Sequence, residues 1–450
     1  NTSKADIIKA TLDSLSYQTF ELIECMEKDS KIKISEIKVD GGMINNYNFL
    51  QSLADITQVK IIKPKNIETT SLGVAFLAGL ESGLIKNINE IKKLWKKNSV
   101  SIPKIKKNKA QSNIKKWKYV INTVNNSDNV SDILTLEDFQ NYNVVWRDPL
   151  CVKYREHKLC GMPPPAGNIS VFMILKMLEN YDVKSFQPTS PEFIHLYSEI
   201  SALTYSDRNF FLADPDYVNI PIDGLLSEKY LRDRVKTVNE TSSIRNPKPG
   251  KPEGAKKYSE NIDISRDSTS HLLIVDLYGN AISMTSTIEG PFGSHLMTGG
   301  FMLNNELTDF SFLPHYDGAP TANRVEAGKR PLSSMSPTII FDKDNKIHSL
   351  TGSPGGTSII GYVAKSILGL LDWGMTPQES VDIPHYMRKK DVTELEKGTE
   401  LERHQKFLEA IGHKVSIKRK RSGLHAAKKV EEGYIGGADS RREGLVIPIN

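Results

Sequence analysis

At 450 residues the chain is long enough for two or three domains with cores of their own, and its hydrophobic fraction of 38% and charged fraction of 25% are those of a globular protein. No run approaches the roughly 18 apolar residues needed to cross a bilayer, so no membrane role is expected. The net charge of +5 is modest and comes largely from one basic stretch, so no nucleic-acid partner is expected either. Three cysteines, Cys25, Cys151 and Cys160, are too few for a disulfide framework and have no metal-ligand spacing. Cys151 and Cys160 either pair across a short loop or stay as two buried thiols. The chain begins at Asn1 without a signal-peptide pattern, so it reads as a fragment whose compartment is not legible.

In chain order, Ile7, Ile8, Leu12, Leu15, Phe20, Ile23 and Met26 recur at helical spacing and predict an amphipathic helix over 6–27. Ile34 to Val39 alternates like a strand. The D-G-G of 40–42 then opens a second helix. Glycines there let backbone amides approach a phosphate or ribose, although Gly-Gly alone is more often an ordinary turn. A short strand at Val59 to Ile62 and a capped helix over 68–80, with small residues on one face, follow. Taken together, D-G-G-M-I-N-N, A-D-I and E-T-T-S-L-G-V-A-F-L-A-G-L resemble the C-terminal end of FGGY carbohydrate kinases of the glycerol kinase group, over residues 1–118. The resemblance implies a fragment of an actin-like (ribonuclease H-like) α/β domain in which Gly42 and Asn46 contact a nucleotide. The catalytic base, the sugar site and the phosphate-holding strands of such a kinase have no counterpart in this sequence, so phosphoryl transfer is not expected.

Residues 86–118 are rich in lysine, with Trp95 and Trp117 interleaved. Basic residues with aromatics suit a phosphate backbone, but a terminal helix with a solvated face is the simpler reading. Residues 119–130 read as a linker or junction. A short helix capped by Thr135, two strand-like runs, the Pro-rich turn C-G-M-P-P-P, a helix at 171–178 and another at 191–205 come next. Residues 240–268, rich in Pro, Gly, Lys and Ser, read as an exposed, mobile loop running into Ser268 and Thr269.

The stretch 265–295 organises the rest. An apolar run at Leu272 to Val275, the turn D-L-Y-G-N and a second run at Ala281 to Thr287 make a strand, turn, strand pattern with Thr269 at its leading edge. A threonine there can be a nucleophile activated by its own α-amino group if the chain is cut before it; equally, threonine is common in strands. Downstream, Glu306 and Asp309 are spaced to converge on one ammonium group, though the same residues cap turns. Ser333 and Ser334 lie in a hydroxyl-rich turn suited to a carboxylate. T-G-S-P-G-G-T has glycines where backbone amides can form an oxyanion hole.

D-S-T-S-H, M-T-S-T-I-E-G-P-F-G-S, L-N-N-E-L-T-D-F-S, K-R-P-L-S-S-M-S-P-T, T-G-S-P-G-G, C-G-M-P-P-P and the closing G-G-A-D-S-R-R-E-G together resemble the γ-glutamyltransferase (glutathione hydrolase) family, over residues 131–450. The resemblance implies a partial N-terminal-nucleophile hydrolase αββα sandwich. It divides the chain into a C-terminal part of a large subunit, 131–268, and a small subunit, 269–450, both from one precursor. It makes Thr269 the nucleophile and Thr287 its orienting partner, and it gives Gly355 and Gly356 the oxyanion-hole amides. Glu306 and Asp309 hold the α-ammonium of the γ-glutamyl donor, joined by Glu289, where many members have Asn. Ser333 and Ser334 hold its α-carboxylate. The family's carboxylate-pairing arginine has no match in this sequence. The donor is a γ-glutamyl compound such as glutathione, the acceptor water, an amino acid or a peptide, and neither cofactor nor metal is implied. Members are usually periplasmic or extracellular. Two alternatives stand beside this reading: a nucleotide-binding kinase remnant, and an inactive junction of two partial genes.

Overall fold

The structure, a computed structural model, describes residues 4–40, 42–65, 69–94, 96–124, 136–261, 269–294, 297–298, 301–316 and 318–448. Two compact units divide the chain, Asn1–Trp146 with His295–Met302 and Arg147–Ser294 with Leu303–Asn450.

In the first unit the amphipathic repeat forms α1 (Lys4–Ser30). Then come β1 (Glu36–Lys38), a 3-10 turn over Gly42–Asn45 and α2 (Tyr47–Thr57). Asn46 ends the turn and caps α2, its Oδ1 accepting from the amides of Asn48 (3.0 Å) and Phe49 (3.2 Å). β2 (Lys60–Pro64), α3 (Thr69–Glu81) and α4 (Ile88–Leu94) follow. The basic stretch is not one terminal helix. It contains β3 (Lys97–Ser101), which pairs antiparallel with β2 through Ile61 with Ser101 and Ile62 with Val100. α5 (Lys107–Val124) continues through the first residues of the stretch read as a linker, and α6 (Leu136–Asn141) closes the unit's main segment. Residues 125–135, including Thr135, lie outside the described residues, as do Gly41 and Trp95. Trp117 is packed: its ring stacks on Tyr17 at 5.2 Å and its Nε1 donates to Glu21 at 3.1 Å. The sheet order is β1-β2-β3, and the small core gathers Ile44, Phe49, Leu50, Leu53, Ala54 and Ile61.

The second unit opens with the hairpin β4 (Leu150–Tyr154) and β5 (His157–Gly161). Cys151 and Cys160 face each other across it and form a disulfide. The Pro-rich turn leads into α7 (Asn168–Leu178), then α8 (Pro191–Phe211), α9 (Ile222–Leu226) and α10 (Glu228–Val235). α8 begins with a cap made for it, Ser190 followed by proline, and runs six residues beyond the end its sequence suggests. The loop after α10 is pinned where it is described. Gly250 N–H donates to Asp207 (2.7 Å), Asn261 N–H to the Asn209 carbonyl (2.9 Å) and Ser259 N–H to the Pro320 carbonyl (2.9 Å).

Next comes the hairpin β6 (Thr269–Val275) and β7 (Ala281–Thr287), then β8 (Thr338–Phe341), β9 (Ile347–Gly352) and α11 (Ile359–Leu371). A small sheet of β10 (Tyr386–Arg388), β11 (Val392–Glu396) and β12 (Lys414–Lys418) precedes β13 (His425–Lys429) and β14 (Tyr434–Ala438). Six antiparallel strands form one sheet in the order β14-β13-β9-β8-β5-β4. α7, α8 and α11 bury their apolar residues with Leu159 and Ile340 of this sheet, which accounts for α7 being apolar on every side. The β6–β7 hairpin packs against β9 and β13.

Asn168 joins three segments at the sheet end nearest the Pro-rich turn. Its Oδ1 accepts from Met162 N–H (3.0 Å) and its Nδ2 donates to Thr338 Oγ1 (2.8 Å), all fully buried at Asn168. Replacing it by alanine leaves the Met162 N–H without its acceptor and Thr338 Oγ1 with only its donation to the Ser336 carbonyl (3.0 Å), so Asn168→Ala is expected to cost about 1–3 kcal/mol, read as a lower urea midpoint at unchanged m-value.

Candidate active site

The hairpin register sets the site. Thr269 is opposite Thr287 at the open end of β6 and β7, and the two hydroxyls are 3.3 Å apart, Thr269 Oγ1 donating. Thr269 is buried, and its carbonyl accepts from Arg442 Nη1 at 2.8 Å, a contact that holds the start of β6 from outside the strand. Thr287 Oγ1 also accepts from the amide of Glu289 at 2.8 Å. Glu289 stands at φ 72, a left-handed conformation that turns its side chain back toward the hairpin end. The next amide, Gly290, donates to Asn305 Oδ1 at 2.7 Å, which ties this turn to the 3-10 turn Glu306–Asp309.

A narrow cleft of about 30 Å³ opens here, lined by Thr269, Thr287, Glu289, Glu306, Asp309, Ser333, Ser334 and Gly356, with Arg208 behind the serines. Of the γ-glutamyl site residues expected from sequence, Gly355 is absent from the lining, and it is the residue before Gly356. Gly355 holds φ 134, with Tyr362 packed where a side chain would stand, so no other residue type fits that turn. Gly42 and Asn46 belong to the first unit, where the Asn46 side-chain Oδ1 is committed to its helix cap.

Two walls of the cleft have opposite chemistry. On one, carboxylate oxygens of Glu289, Glu306 and Asp309 lie within 4.8 Å of one another. Glu306 Oε2 has no hydrogen-bond partner among the described residues. Burial, then the neighbouring Asp309 and Glu289 charges, push the Glu306 carboxyl up to about 8. On the other wall Ser333 and Ser334 are fixed through their backbone. Ser333 N–H donates to the Pro165 carbonyl at 2.9 Å, and Gly167 N–H donates to the Met335 carbonyl at 2.9 Å. The Pro-rich turn is thus the seat of the serine pair.

A second set of ligating side chains, His195, Glu199 and His413, is buried away from the cleft and satisfied internally. His195 Nε2 donates to the Asn239 carbonyl (2.7 Å), so its Nδ1 accepts from His413 Nε2 (2.7 Å), and His413 Nδ1 accepts from Thr393 (2.7 Å). Two ligands on one tetrahedral metal would stand roughly 3.3 Å apart. The pair is a hydrogen-bonded lock, and burial, then the neighbouring His195 ring, hold His413 down to about 3.

A gamma-glutamyltranspeptidase family model matches residues 119–449, and a model of the C-terminal domain of the FGGY family of carbohydrate kinases matches residues 1–82. The chain belongs to the gamma-glutamyltranspeptidase family. It is 35% identical to the glutathione hydrolase proenzyme of Bacillus subtilis over 72% of this chain and 57% of that protein. With the glutathione hydrolase proenzyme of Escherichia coli it shares 34% identity over 69% and 54%. It thus spans a little over half the length of these gamma-glutamyltranspeptidase relatives. A crystal structure of cephalosporin acylase from Bacillus halodurans matches with a TM-score of 0.60 at 21% identity, over 70% of this chain and 55% of that one, a likeness of fold alone. The second unit is accordingly a partial N-terminal-nucleophile hydrolase αββα sandwich, in which the helical layer and the six-stranded sheet are built and the facing layer is the β6–β7 hairpin.

Sequence reading did not single out Arg208, which follows the helix read at 191–205, or Arg442, which sits in the closing G-G-A-D-S-R-R-E-G. For Glu306 the pH consequence has a definite sign. Its folded value is raised, so the folded chain keeps a proton that the unfolded chain has lost. The stability it contributes is full below the unfolded value near 4.5 and is lost as pH rises through about 8. The melting temperature of the unaltered chain is expected to fall across that window more steeply than that of Glu306→Gln. Parallel melting profiles would contradict the assignment.

Proposed function

We propose that the chain is a γ-glutamyltransferase and glutathione hydrolase that cuts itself before Thr269 and then uses that threonine as its nucleophile. The observation that carries the reading is the paired Thr269 and Thr287 hydroxyls set between a three-carboxylate wall and a serine wall. A γ-glutamyl group has an ammonium and a carboxylate on one carbon and its reacting carbonyl three bonds further on. An acidic wall, a hydroxyl wall and a nucleophile between them fit that layout.

In this reading Glu289, Glu306 and Asp309 take the α-ammonium and Ser333 and Ser334 the α-carboxylate. The α-amine freed at Thr269 accepts the hydroxyl proton as Oγ1 attacks the γ-carbonyl carbon. Thr287 orients that hydroxyl, and the amides of Gly355 and Gly356 take the developing oxyanion. The amine leaves with the proton, a γ-glutamyl ester remains on Thr269, and water or an amino acid's amino group displaces it, returning the hydroxyl. The donor is a compound of the glutathione type, the proenzyme names of the relatives support processing into two subunits, and no cofactor enters any step.

Purified protein is expected to yield two chains on a denaturing gel, the smaller reading T-S-H-L-L from its N-terminus. Thr269→Ala is expected to remain a single chain and to lose at least about a thousandfold in γ-glutamyl anilide hydrolysis. Intact mass showing one uncut chain in unaltered protein after long incubation would remove the reading.

For the first unit we propose descent from a kinase of the glycerol kinase type, with Gly42 and Asn46 at the former nucleotide edge. Support comes from the FGGY match and from the Gly42–Asn45 turn opening into a capped helix. ADP is expected to slow amide exchange over residues 42–50, and unchanged exchange at saturating ADP would remove nucleotide binding.

A further inference from the structure

The cleft has three carboxylates on one wall and a single arginine, Arg208, on the other. Arg208 sits in the last turn of α8 and is only 3% exposed, yet it lines the cleft. Two of its hydrogen bonds fix where the guanidinium stands. Nη2 donates to Ser334 Oγ at 2.8 Å, and Nη1 donates to Asn209 Oδ1 at 3.2 Å.

The contact with Ser334 fixes which way that hydroxyl works. A serine hydroxyl has one hydrogen and two lone pairs. With a lone pair engaged by a cation, the hydroxyl is polarised and its hydrogen is directed to an acceptor, and Ser334 Oγ makes no donating contact to the described residues. The backbone is equally constrained. Ser336 Oγ donates to the Ser334 carbonyl at 2.9 Å, and a side chain at Gly167 would come within 2.6 Å of that same oxygen. Ser334 is therefore held from behind on both its main chain and its side chain.

We propose that Arg208 is the positioning residue for the carboxylate wall: through Ser334 it turns a neutral hydroxyl into a charge-assisted anion donor and sets the preference for donors that carry an α-carboxylate. The inference rests on the γ-glutamyl reading above and deepens it. It assigns the cationic counterpart of the three-carboxylate wall to a residue in the segment before Thr269. A donor lacking the α-carboxylate would lose this wall while keeping the acidic one.

The test uses the full chain and two anilides, γ-glutamyl-p-nitroanilide and its decarboxylated analogue 4-aminobutyryl-p-nitroanilide. The ratio of kcat/KM between them is the readout. Unaltered protein is expected to favour the γ-glutamyl compound. Arg208→Gln is expected to reduce that preference about tenfold or more, chiefly through KM, with Arg208→Lys restoring part of it. Ser334→Ala is expected to lose the same preference, and adding Arg208→Gln to it is expected to change the ratio no further, because both act through one contact. Should Arg208→Gln fail to fold by circular dichroism, Ser334→Ala and Arg208→Lys decide alone: an unchanged ratio in both overturns the proposal. Where turnover is too slow, calorimetric binding of L-glutamate against 4-aminobutyrate gives the same ratio. Unaltered protein that handles neither compound overturns the γ-glutamyl reading and this one with it. A normal preference in unaltered protein that survives unchanged in Arg208→Gln overturns only the role of Arg208.

Discussion

Everything at the cleft depends on one register, the pairing of Thr269 with Thr287 in the β6–β7 hairpin. A slip of one residue would set Thr269 against Ser286, or Ser270 against Thr287, and turn one of the two hydroxyls to the opposite face. Three separate supports prevent it. The turn is closed by Asp276, whose carboxylate accepts from the amides of Tyr278 and Asn280 and from the Asn280 side chain. The hairpin face packs on β9 and β13, where Ser283 Oγ reaches the Thr351 carbonyl at 3.5 Å. At the open end Arg442 holds the Thr269 carbonyl. A short hairpin alone is marginal in water, so the six-stranded sheet behind it is what makes the threonine pair a fixed object.

The electrostatics of the cleft follow from that fixed frame. Three carboxylates whose oxygens lie within 4.8 Å of one another disfavour joint ionisation, and Glu306, whose Oε2 is buried without a hydrogen-bond partner among the described residues, keeps its proton to about 8. An arriving ammonium group would relieve the repulsion and take the place of that proton. Across the cleft the single guanidinium answers for the opposite charge. A zwitterion adds no net charge, so selectivity for one would come from where the charges stand, its cationic end toward the acidic wall and its anionic end toward the serines with Arg208 behind them.

Much of this was legible in the residues. The hairpin has strand periodicity on both sides of a D-L-Y-G-N turn, and Glu306 and Asp309 fall three apart in a stretch of turn formers, so their convergence follows from local spacing. The serine pair and the glycine pair were legible as chemistry, but their approach to Thr269 depends on strand order, which no local signal encodes. Arg208 was hidden for a physical reason. α8 is buried on almost every side, so it carries no amphipathic stripe to mark its end, and S-D-R-N looks like the start of a loop. In the first unit, β3 was missed because its residues lie in a lysine-rich run whose charge obscures the short K-N-S-V-S strand. The loop over 240–268 was read from composition as exposed and mobile, whereas Asp207 and Asn209 pin its described part, 240–261.

The order of strands in the large sheet has one more consequence. β4 and β5 precede Thr269 in the chain, while β8, β9, β13 and β14 follow it, and the join between the two sets is the β5–β8 ladder in the interior of the sheet. On the helical face α7 and α8 come from before Thr269 and α11 from after it, sharing one core. A break of the chain at Thr269 would therefore leave the two pieces interleaved, and neither could withdraw without dismantling the other's hydrophobic interior. The uncut chain is then the only covalently joined template on which this architecture can be laid down. Once severed, the molecule would be preserved by the height of its unfolding barrier, since strands from two separate polypeptides have to find one another again after melting.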